Sequence, residues 1–342
     1  MAAGEPTLIL AEGFSTDTHY GKTMRGVLRY RREDVVAILD SERAGETEQG
    51  IPVVGDVAAA LEHEPRVALV GVATQGGRFP DAWRAILAEC VRAGLAIENG
   101  LHQMLGDDPE LKPLADEHGV ELRDLRRPPE GLDCPTGENL EVPARIVLTV
   151  GSDCAIGKMT VALELDRAAR ARGIASVFVP TGQTGIAIAG WGISVDAVVA
   201  DFLAGATERL VVEGHRRGGD LLWVEGQGSL VHPAYSGVTL GLFHGSAPHA
   251  LVLCHRAGTT EVEGYPGHPL PSLPELVELH ERMSLPARPA RVAAVALNTA
   301  GLVEEAAAAA VAEAARDTGL PAADPVRDGS ESLLDAVLAV TG

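Results

Sequence analysis

The feature that most constrains the fold of this chain is one glycine-rich loop, Gly151-Ser152-Asp153-Cys154-Ala155-Ile156-Gly157-Lys158-Met159-Thr160. An apolar run at residues 146–150 precedes the loop, and residues 161–172 follow it with a helical pattern that stops at Gly173. A strand, a loop ending in Gly-Lys and a helix in this order are typical of a phosphate-binding loop (P-loop). In such a loop, backbone N–H groups and the helix N-terminus together bind phosphate oxygens. We therefore predict that these residues bind the phosphates of a cofactor, with Lys158 supplying a positive charge.

The loop departs from the usual P-loop sequence in two ways. Five residues instead of four separate Gly151 from Gly157, and Met159 stands where a Ser or Thr normally follows the lysine. Methionine sulfur is a poor ligand for Mg²⁺, because this ion prefers oxygen. Either Thr160, one position later, takes over the metal-binding role, or a metal is bound elsewhere or not at all.

Length and charge limit the classes of protein to which this chain can belong. Its 342 residues suit two domains, and its formal net charge of −20 argues against nucleic acid or an anionic membrane as a partner. No apolar run reaches the length of a membrane span, and the first residues lack the basic and apolar regions of a signal peptide. The four cysteines are widely scattered, which fits neither a disulfide framework nor a metal motif. We expect a cytoplasmic homo-oligomer that acts on a small molecule.

Residues 1–127 alternate apolar runs with helix-length segments, which predicts a Rossmann-like α/β domain. Its predicted strands span residues 7–11, 35–40, 67–73 and 95–98, and its predicted helices span residues 20–31, 57–62 and 81–93. No Gly-x-Gly-x-x-Gly follows the first strand, so the usual dinucleotide fingerprint is missing. The proline-rich, aperiodic residues 128–143 are predicted to link this domain to a P-loop α/β domain over residues 144–342.

The second domain is predicted to contain five buried strands and a C-terminal alanine-rich helix. The strands span residues 145–150, 176–179, 221–224, 250–253 and 292–297, and the helix spans residues 303–316. Ligands of open α/β sheets bind at the carboxyl ends of the strands. The polar residues that follow these strands are therefore the candidate site residues.

Glu225 follows the third of these strands and begins a glycine-rich turn. In a P-loop fold, an acid at the end of a neighbouring strand faces Mg²⁺ or its waters, so Glu225 and Thr160 are candidate metal ligands. Glu225 is also a candidate base for a substrate amine. His232 and His255, which lie near the same strand ends, are candidate catalytic acids or bases. The two histidines and Glu225 match no compact zinc motif.

Further polar residues near the strand ends are candidate substrate ligands: Thr181, Gln183, Thr184, Asp196, Gln227 and Arg256. The first three offer neutral hydrogen-bonding groups beside glycines, which allow a ligand to approach the backbone closely. Asp196 is suited to bind a substrate amine. Asn298 ends the last strand, and its amide can bind the edge of a purine, so we assign it to the cofactor.

Two resemblances emerge from these motifs. The domain from Arg145 onward resembles the dethiobiotin synthetase and cobyrinate amidation branch of P-loop proteins, through its Gly-x-Asp-x-x-x-Gly-Lys loop, its Val-Glu-Gly strand end and its late asparagine. Nearly the whole chain resembles the D-glutamate N-acetyltransferase family, which has a Rossmann-like N-terminal half and a P-loop C-terminal half. The matching stretches are residues 151–160, 181–185, 196–205, 225–229, 232–237, 242–246 and 298–299.

The second resemblance implies acetyl-CoA as the donor and a D-amino acid, D-glutamate first, as the acceptor. It implies that the loop around Lys158 binds the cofactor phosphates and that Glu225 or His232 takes a proton from the amine. The turn at residues 226–228 would offer N–H groups to the oxyanion, and Arg256 or Lys22 would bind the acceptor's carboxylates.

Two other functions stay open at this stage. Lys158, Thr160 and Glu225 also suit an ATP- and Mg²⁺-dependent ligase or kinase that activates a small carboxylate or amino acid. The loop that contains Gln183 loosely resembles a water-positioning switch, which leaves a nucleotide-binding regulatory protein as a further alternative.

Overall fold

A computed structural model describes residues 4–17 and 20–342 of the chain. The first three residues, on which the expected absence of a signal peptide partly depends, lie outside the described residues. The chain divides into two units, Met1–Pro128 with Gly182–Ala197, and Pro129–Thr181 with Val198–Gly342. Among the described helices, none combines the length and the apolar character that crossing a membrane requires.

The first unit is built on a seven-stranded sheet. Its strands are β1 (Thr7–Leu10), β2 (Val35–Leu39), β3 (Thr47–Glu48), β4 (Ile51–Val54), β5 (Val67–Val70), β6 (Ala96–Asn99) and β7 (Leu122–Asp124). They lie in the order β3-β4-β2-β1-β5-β6-β7, and all neighbours are parallel except β3 and β4. The helices before the second unit are α1 (Lys22–Tyr30), α2 (Val57–Leu61), α3 (Trp83–Arg92) and α4 (Leu111–His118). This arrangement confirms the predicted Rossmann-like class.

The sequence patterns miss the short edge elements of this sheet. Strands β3 and β4 form a hairpin whose two turn residues, Gln49 and Gly50, have φ angles of 50° and 81°. Positive φ at both positions is typical of a tight hairpin turn, but Gln-Gly is not one of the usual sequence signals for it. The predicted strand over residues 67–73 is too long, because the strand ends at Val70. At Gly71 a Cβ would lie 2.4 Å from Ile9 Cγ2, so the chain packs closely there.

The second unit contains a six-stranded parallel sheet in the order β13-β12-β11-β8-β10-β9. Its strands are β8 (Arg145–Gly151), β9 (Ser176–Val179), β10 (Leu221–Val224), β11 (Ala250–Arg256), β12 (Arg291–Asn298) and β13 (Ala322–Ala323). The remaining helices of the chain are α5 (Glu138–Glu141), α6 (Lys158–Ala171), α7 (Gln183–Ala189), α8 (Ala200–Arg216), α9 (Ser236–Ser246), α10 (Leu273–Arg282), α11 (Glu304–Thr318) and α12 (Glu331–Thr341). Five of the strands were predicted, and the strand–loop–helix order around Lys158 confirms the P-loop class.

Helix α7 belongs to the first unit, although it follows β9 of the second sheet. Its Thr184 Oγ1 lies 2.9 Å from Thr23 Oγ1 on α1. The guanidinium of Arg31 also donates to the carbonyl of Ala187. The sequence predicts residues 182–197 in the second domain, because strand and helix periodicity carry no information about which unit a connecting helix packs on.

Residues 128–143, which the sequence predicts as a linker, contain the short helix α5 and are attached to the second unit. The Glu208 carboxylate on α8 accepts the N–H groups of Thr136 and Gly137 at 2.7 Å and 2.8 Å. Burial acts to raise the pKa of Glu208, but the N–H groups of Thr136, Gly137 and Asn139 and the Thr136 hydroxyl together outweigh burial and lower it. Asn139 donates to the carbonyl of Gly245 at 2.9 Å. The segment is thus ordered and is hydrogen-bonded to helices α8 and α9.

The packing of α8 against α9 depends on glycine, which gives a stability prediction. A Cβ on Gly245 would lie 2.2 Å from Ala204 O and 2.5 Å from Thr207 Cβ, whereas a Cβ on Gly237 of the same helix would meet nothing within 4 Å. We expect Gly245→Ala to lower the free energy of unfolding by about 1–3 kcal/mol through overpacking. As the matched control, Gly237→Ala should be neutral or stabilising by up to about 1 kcal/mol. Chemical denaturation of both variants checks this, and equal effects would contradict it.

His280 of α10 gives a prediction about acid stability. Its ring is fully buried, its Nδ1–H donates to Leu276 O at 2.6 Å, and its buried Nε2 has no hydrogen-bond partner among the described residues. Burial lowers the pKa of His280 to about 4, whereas an unfolded histidine titrates near about 6.5. Between these values the unfolded state binds more protons, so stability is complete above about pH 6.5 and falls as the pH drops toward 4.

We expect the free energy of unfolding to fall by up to about 1.4 kcal/mol per pH unit from this one group. His280→Gln should remove that part of the slope, and the same change at the exposed His63 should not. Urea unfolding at a series of pH values measures both. Identical slopes for the wild type and His280→Gln would show that His280 does not titrate in this window.

Candidate functional site

The loop between β8 and α6 has a left-handed backbone at two positions. Ala155 has a φ of 50°, and Gly157, directly before α6, has a φ of 112°. Alternation of this kind turns successive N–H groups toward one concave face. These φ angles suit an anion-binding loop, and the binding of phosphate here stays a prediction.

Three side chains hold the carbonyl groups of this loop. Lys158 Nζ donates to Asp153 O at 2.6 Å, Arg256 Nη2 donates to Ala155 O at 2.6 Å, and Asn298 Nδ2 donates to Ile156 O at 3.1 Å. In a trans peptide, the carbonyl and the N–H of the next residue point in opposite directions. The bonds to Ala155 and Ile156 therefore turn the N–H groups of Ile156 and Gly157 away from Arg256 and Asn298.

Lys158 is buried, and it is one of only three lysines in the chain. Burial lowers the pKa of its ammonium, and the charges of nearby acidic groups, Glu225 among them, oppose that effect. A Cβ on Gly226 would lie 1.7 Å from Thr149 O and 3.1 Å from Lys158 Cδ. Glycine is therefore required at position 226, because any side chain there would collide with the Thr149 carbonyl and crowd the Lys158 side chain.

Glu225 is buried at the end of β10 and is tied to Thr181. Its Oε2 accepts the Thr181 N–H at 2.9 Å, and its backbone carbonyl accepts the Thr181 hydroxyl at 2.7 Å. Gln227 Nε2 donates to the carbonyl and the hydroxyl of Thr181. The structure thus brings Glu225, Gln227 and Thr181 together near Lys158, while the Thr181 hydroxyl is already engaged within the protein. Thr160 lies in the first turn of α6, and its role as a metal ligand with Glu225 stays a prediction.

His255 lies at the end of β11, and its Nδ1 is 2.9 Å from Ser152 Oγ of the loop. Burial lowers the pKa of the His255 imidazole. Ser152 is held in turn, because its backbone carbonyl accepts the hydroxyl of Ser229 at 3.0 Å. Of the two predicted catalytic histidines, His255 contacts the loop through this serine.

His232 lies between two tyrosine rings. It stacks on Tyr235 with ring centroids 4.7 Å apart, and the ring of Tyr265 meets it edge to face at 5.2 Å. One ring nitrogen of His232, the Cys154 sulfur and a carboxylate oxygen of Asp153 all lie within 4.8 Å of one another. Sequence spacing missed this cluster, because Cys154 and His232 follow different strands. The strand order could have revealed the cluster, because β8 and β10 are neighbours and the loops that follow them meet.

The remaining predicted substrate ligands lie in the first unit and contact other groups there. Asp196 forms an ion pair with Arg126 and accepts the Ser194 hydroxyl at 2.8 Å. Thr184 pairs with Thr23, and Gln183 packs against Gly100, where a Cβ would lie 3.0 Å from Gln183 Cγ. Their contact with a substrate stays a prediction. One expected donor is wrong: the N–H of Gly226 donates to Thr149 Oγ1 at 2.9 Å and is not directed to an oxyanion.

Comparison with known proteins supplies the family. A P-loop domain of unknown function, DUF1611, matches residues 133–334, and its Rossmann-like N-terminal domain matches residues 40–128. The chain is 40% identical to a D-glutamate N-acetyltransferase from Tritonibacter scottomollicae, over 80% of this chain and 81% of that one. It is 34% identical to a D-glutamate N-acetyltransferase from Pseudoalteromonas sp, over 78% and 79% of the two chains. This chain belongs to the D-glutamate N-acetyltransferase family.

A solved structure of this family has the same fold. The crystal structure of a DUF1611 family protein from Anabaena variabilis is 42% identical to the chain, with a TM-score of 0.91. The match covers 97% of this chain and 99% of that one. The resemblance to the D-glutamate N-acetyltransferase family is thereby confirmed, whereas the resemblance to the dethiobiotin synthetase branch stays a prediction.

Gly226 offers a test of the loop geometry. We expect Gly226→Ala to push the Thr149 carbonyl and the Lys158 stem apart, and to weaken the binding of a phosphate ligand by about tenfold or more, which corresponds to about 1.4 kcal/mol. Isothermal titration with CoA and with ADP measures the change, and Gly237→Ala serves as the control. Unchanged affinity for both probes would show that the phosphates do not bind at this loop.

Proposed function

We propose that this protein is an amino-acid N-acetyltransferase that transfers an acetyl group from acetyl-CoA to the amine of a small acidic amino acid, D-glutamate first. The single observation that carries the proposal is a formed phosphate loop, with Lys158 buried in it, in a chain 40% identical to a D-glutamate N-acetyltransferase. The relative suggests the acceptor and the reaction, and the loop suggests where the phosphates of the donor bind.

The composition of the loop favours acetyl-CoA over ATP as its ligand. ATP normally enters a P-loop with Mg²⁺, which is held by the Ser or Thr after the lysine. Here Met159 occupies that position and offers no oxygen. The diphosphate of CoA needs only N–H donors and a cation, and the N–H groups of Ile156 and Gly157 and the Lys158 ammonium suit it.

The reaction requires that the acceptor amine first lose a proton. The neutral amine nitrogen then attacks the thioester carbonyl carbon and loses a second proton, the carbon–sulfur bond breaks, and the departing sulfur takes up one proton, so that CoA leaves as a thiol. Glu225, His232 and His255 are the groups near the loop that suit the proton transfer.

An acceptor with carboxylates needs a cation in a chain whose net charge is −20. Arg256 uses one guanidinium nitrogen to hold the Ala155 carbonyl, and its side chain is exposed. Since a guanidinium has five N–H donors, the others suit a carboxylate. We assign this role to Arg256, with Lys22 of the first unit as a second candidate.

A second function, an ATP- and Mg²⁺-dependent ligase or kinase, is favoured by one observation. The Glu225 carboxylate lies near Lys158, as the acid of a nucleotide-binding P-loop domain does, and Thr160 supplies a hydroxyl in the first turn of α6. In that case the ligand would be ATP, with Thr160 and Glu225 holding the metal.

The same proposal places the protein in D-amino acid metabolism, in the cytoplasm and as a homo-oligomer. All four cysteines carry free thiols, the form that a reducing compartment maintains. Light scattering coupled to gel filtration measures the assembly directly, and a monomer would remove that part of the proposal.

The decisive assay follows release of the CoA thiol from acetyl-CoA with D-glutamate, without ATP or Mg²⁺. We expect turnover with D-glutamate and less with L-glutamate. Lys158→Met should raise the Kd for CoA about 10- to 150-fold, because a hydrogen bond to a charged group contributes about 1.5–3 kcal/mol. Lys112→Met is the matched control, since Lys112 lies exposed on α4 beside Asp116.

Two outcomes would replace the proposal. Release of ADP from ATP with Mg²⁺ in the presence of D-glutamate, without any thiol release from acetyl-CoA, would establish the ligase or kinase. Turnover that Lys158→Met leaves intact would show that the acetyl donor does not bind at this loop.

A further inference from the structure

The strongest unassigned feature is the cluster of Asp153, Cys154 and His232 in the second unit. The cluster consists of a carboxylate, a thiol and an imidazole, whose ligand atoms lie within 4.8 Å of one another. Asp153 and Cys154 come from the loop after β8, and His232 follows the neighbouring strand β10. Neither the proposed function nor the P-loop motif gives these three groups a common role.

We propose that Asp153, Cys154 and His232 bind one divalent transition-metal ion of the zinc class. Thiolate, imidazole and carboxylate are the ligands that Zn²⁺ prefers, and three protein ligands leave a fourth position for water or a ligand oxygen. A tetrahedral ion holds sulfur at about 2.3 Å and nitrogen or oxygen at about 2.0 Å. Atoms that start no more than 4.8 Å apart reach those distances by inward shifts of about an ångström or less.

Charge balance favours the ion despite the nearby Lys158 ammonium. A Zn²⁺ ion with one thiolate, one carboxylate and one neutral imidazole has no net charge, so the site does not repel the lysine to first order. Because zinc binds cysteine as the thiolate, binding of the ion would release the thiol proton to solvent.

Two of the ligands are already held in place. The Asp153 carboxylate accepts the N–H groups of Cys154 and Glu263, both at 2.7 Å, and each oxygen keeps a lone pair for a metal. The His232 ring is fixed between Tyr235 and Tyr265. Little conformational freedom is left to lose when the ion binds, which raises the affinity.

One contact of His232 must change. Its Nδ1 accepts the Ala234 N–H at 3.2 Å, so coordination through Nε2 requires a proton on Nδ1 and the loss of that bond. A hydrogen bond of this length between neutral groups is weak compared with a metal–imidazole bond. Backbone N–H groups near a turn are readily taken over by water.

The test is cobalt binding to the metal-stripped, tag-free full chain, because Co²⁺ occupies zinc sites and reports a sulfur ligand through a charge-transfer absorption. We expect one Co²⁺ per chain with that absorption, and displacement of the cobalt by Zn²⁺. Cys154→Ser should abolish the charge-transfer band, and Asp153→Asn and His232→Gln should weaken Co²⁺ binding by more than about 100-fold, since loss of even an outer contact costs about 10- to 100-fold.

Two control variants show whether the loss of Co²⁺ binding is specific to the cluster. Cys134→Ser removes an exposed thiol and His63→Gln an exposed imidazole, and both should bind Co²⁺ like the wild type. Circular dichroism on every variant separates loss of the site from loss of the fold. A folded wild type without stoichiometric cobalt, or a band that survives Cys154→Ser, would overturn the proposal. Neither readout uses acetyl transfer, so the result is independent of the proposed function.

Discussion

The second unit depends on the burial of one ammonium group. An unpaired charge inside a protein costs several kcal/mol, so Lys158 can be buried only where oxygen atoms surround it. The Asp153 carbonyl supplies the direct bond, and the charge of Glu225 acts from the neighbouring strand end. Both requirements fix the path of the loop around the lysine. Gly226 completes the arrangement, since any side chain there would collide with the Thr149 carbonyl.

The parallel sheet explains why these groups converge. Strand β8 pairs with β10 on one side and β11 on the other, and in the register of β11 and β12 Arg256 lies beside Asn298. The carboxyl ends of these strands therefore place Glu225, Arg256 and Asn298 around a single loop. Arg256 and Asn298 each donate one hydrogen bond to a loop carbonyl, which orients the loop. Both side chains have further N–H donors that a ligand can use.

The sequence predicts those parts of the molecule that follow from a periodic pattern. Buried strands and a strand–loop–helix order are visible in the amino-acid types, so both sheets, Lys158 and Glu225 are predicted from them. Contacts between distant segments leave no such pattern. For that reason the sequence placed α7 in the wrong unit, offered the already bonded Gly226 N–H as an oxyanion donor, and did not join His232 to Cys154.

The acidity of the chain sets a last constraint on its chemistry. With a net charge of −20, the protein's long-range field does not attract an anionic cofactor or acceptor. Salt screens that field within about 8 Å, so binding has to come from donors already in place inside the site. The Asp153 carboxylate lies in the same loop and opposes an anion. A divalent ion bound by Asp153, Cys154 and His232 would balance the charge of that carboxylate and of the thiolate, so the loop would no longer present a net negative charge beside Lys158.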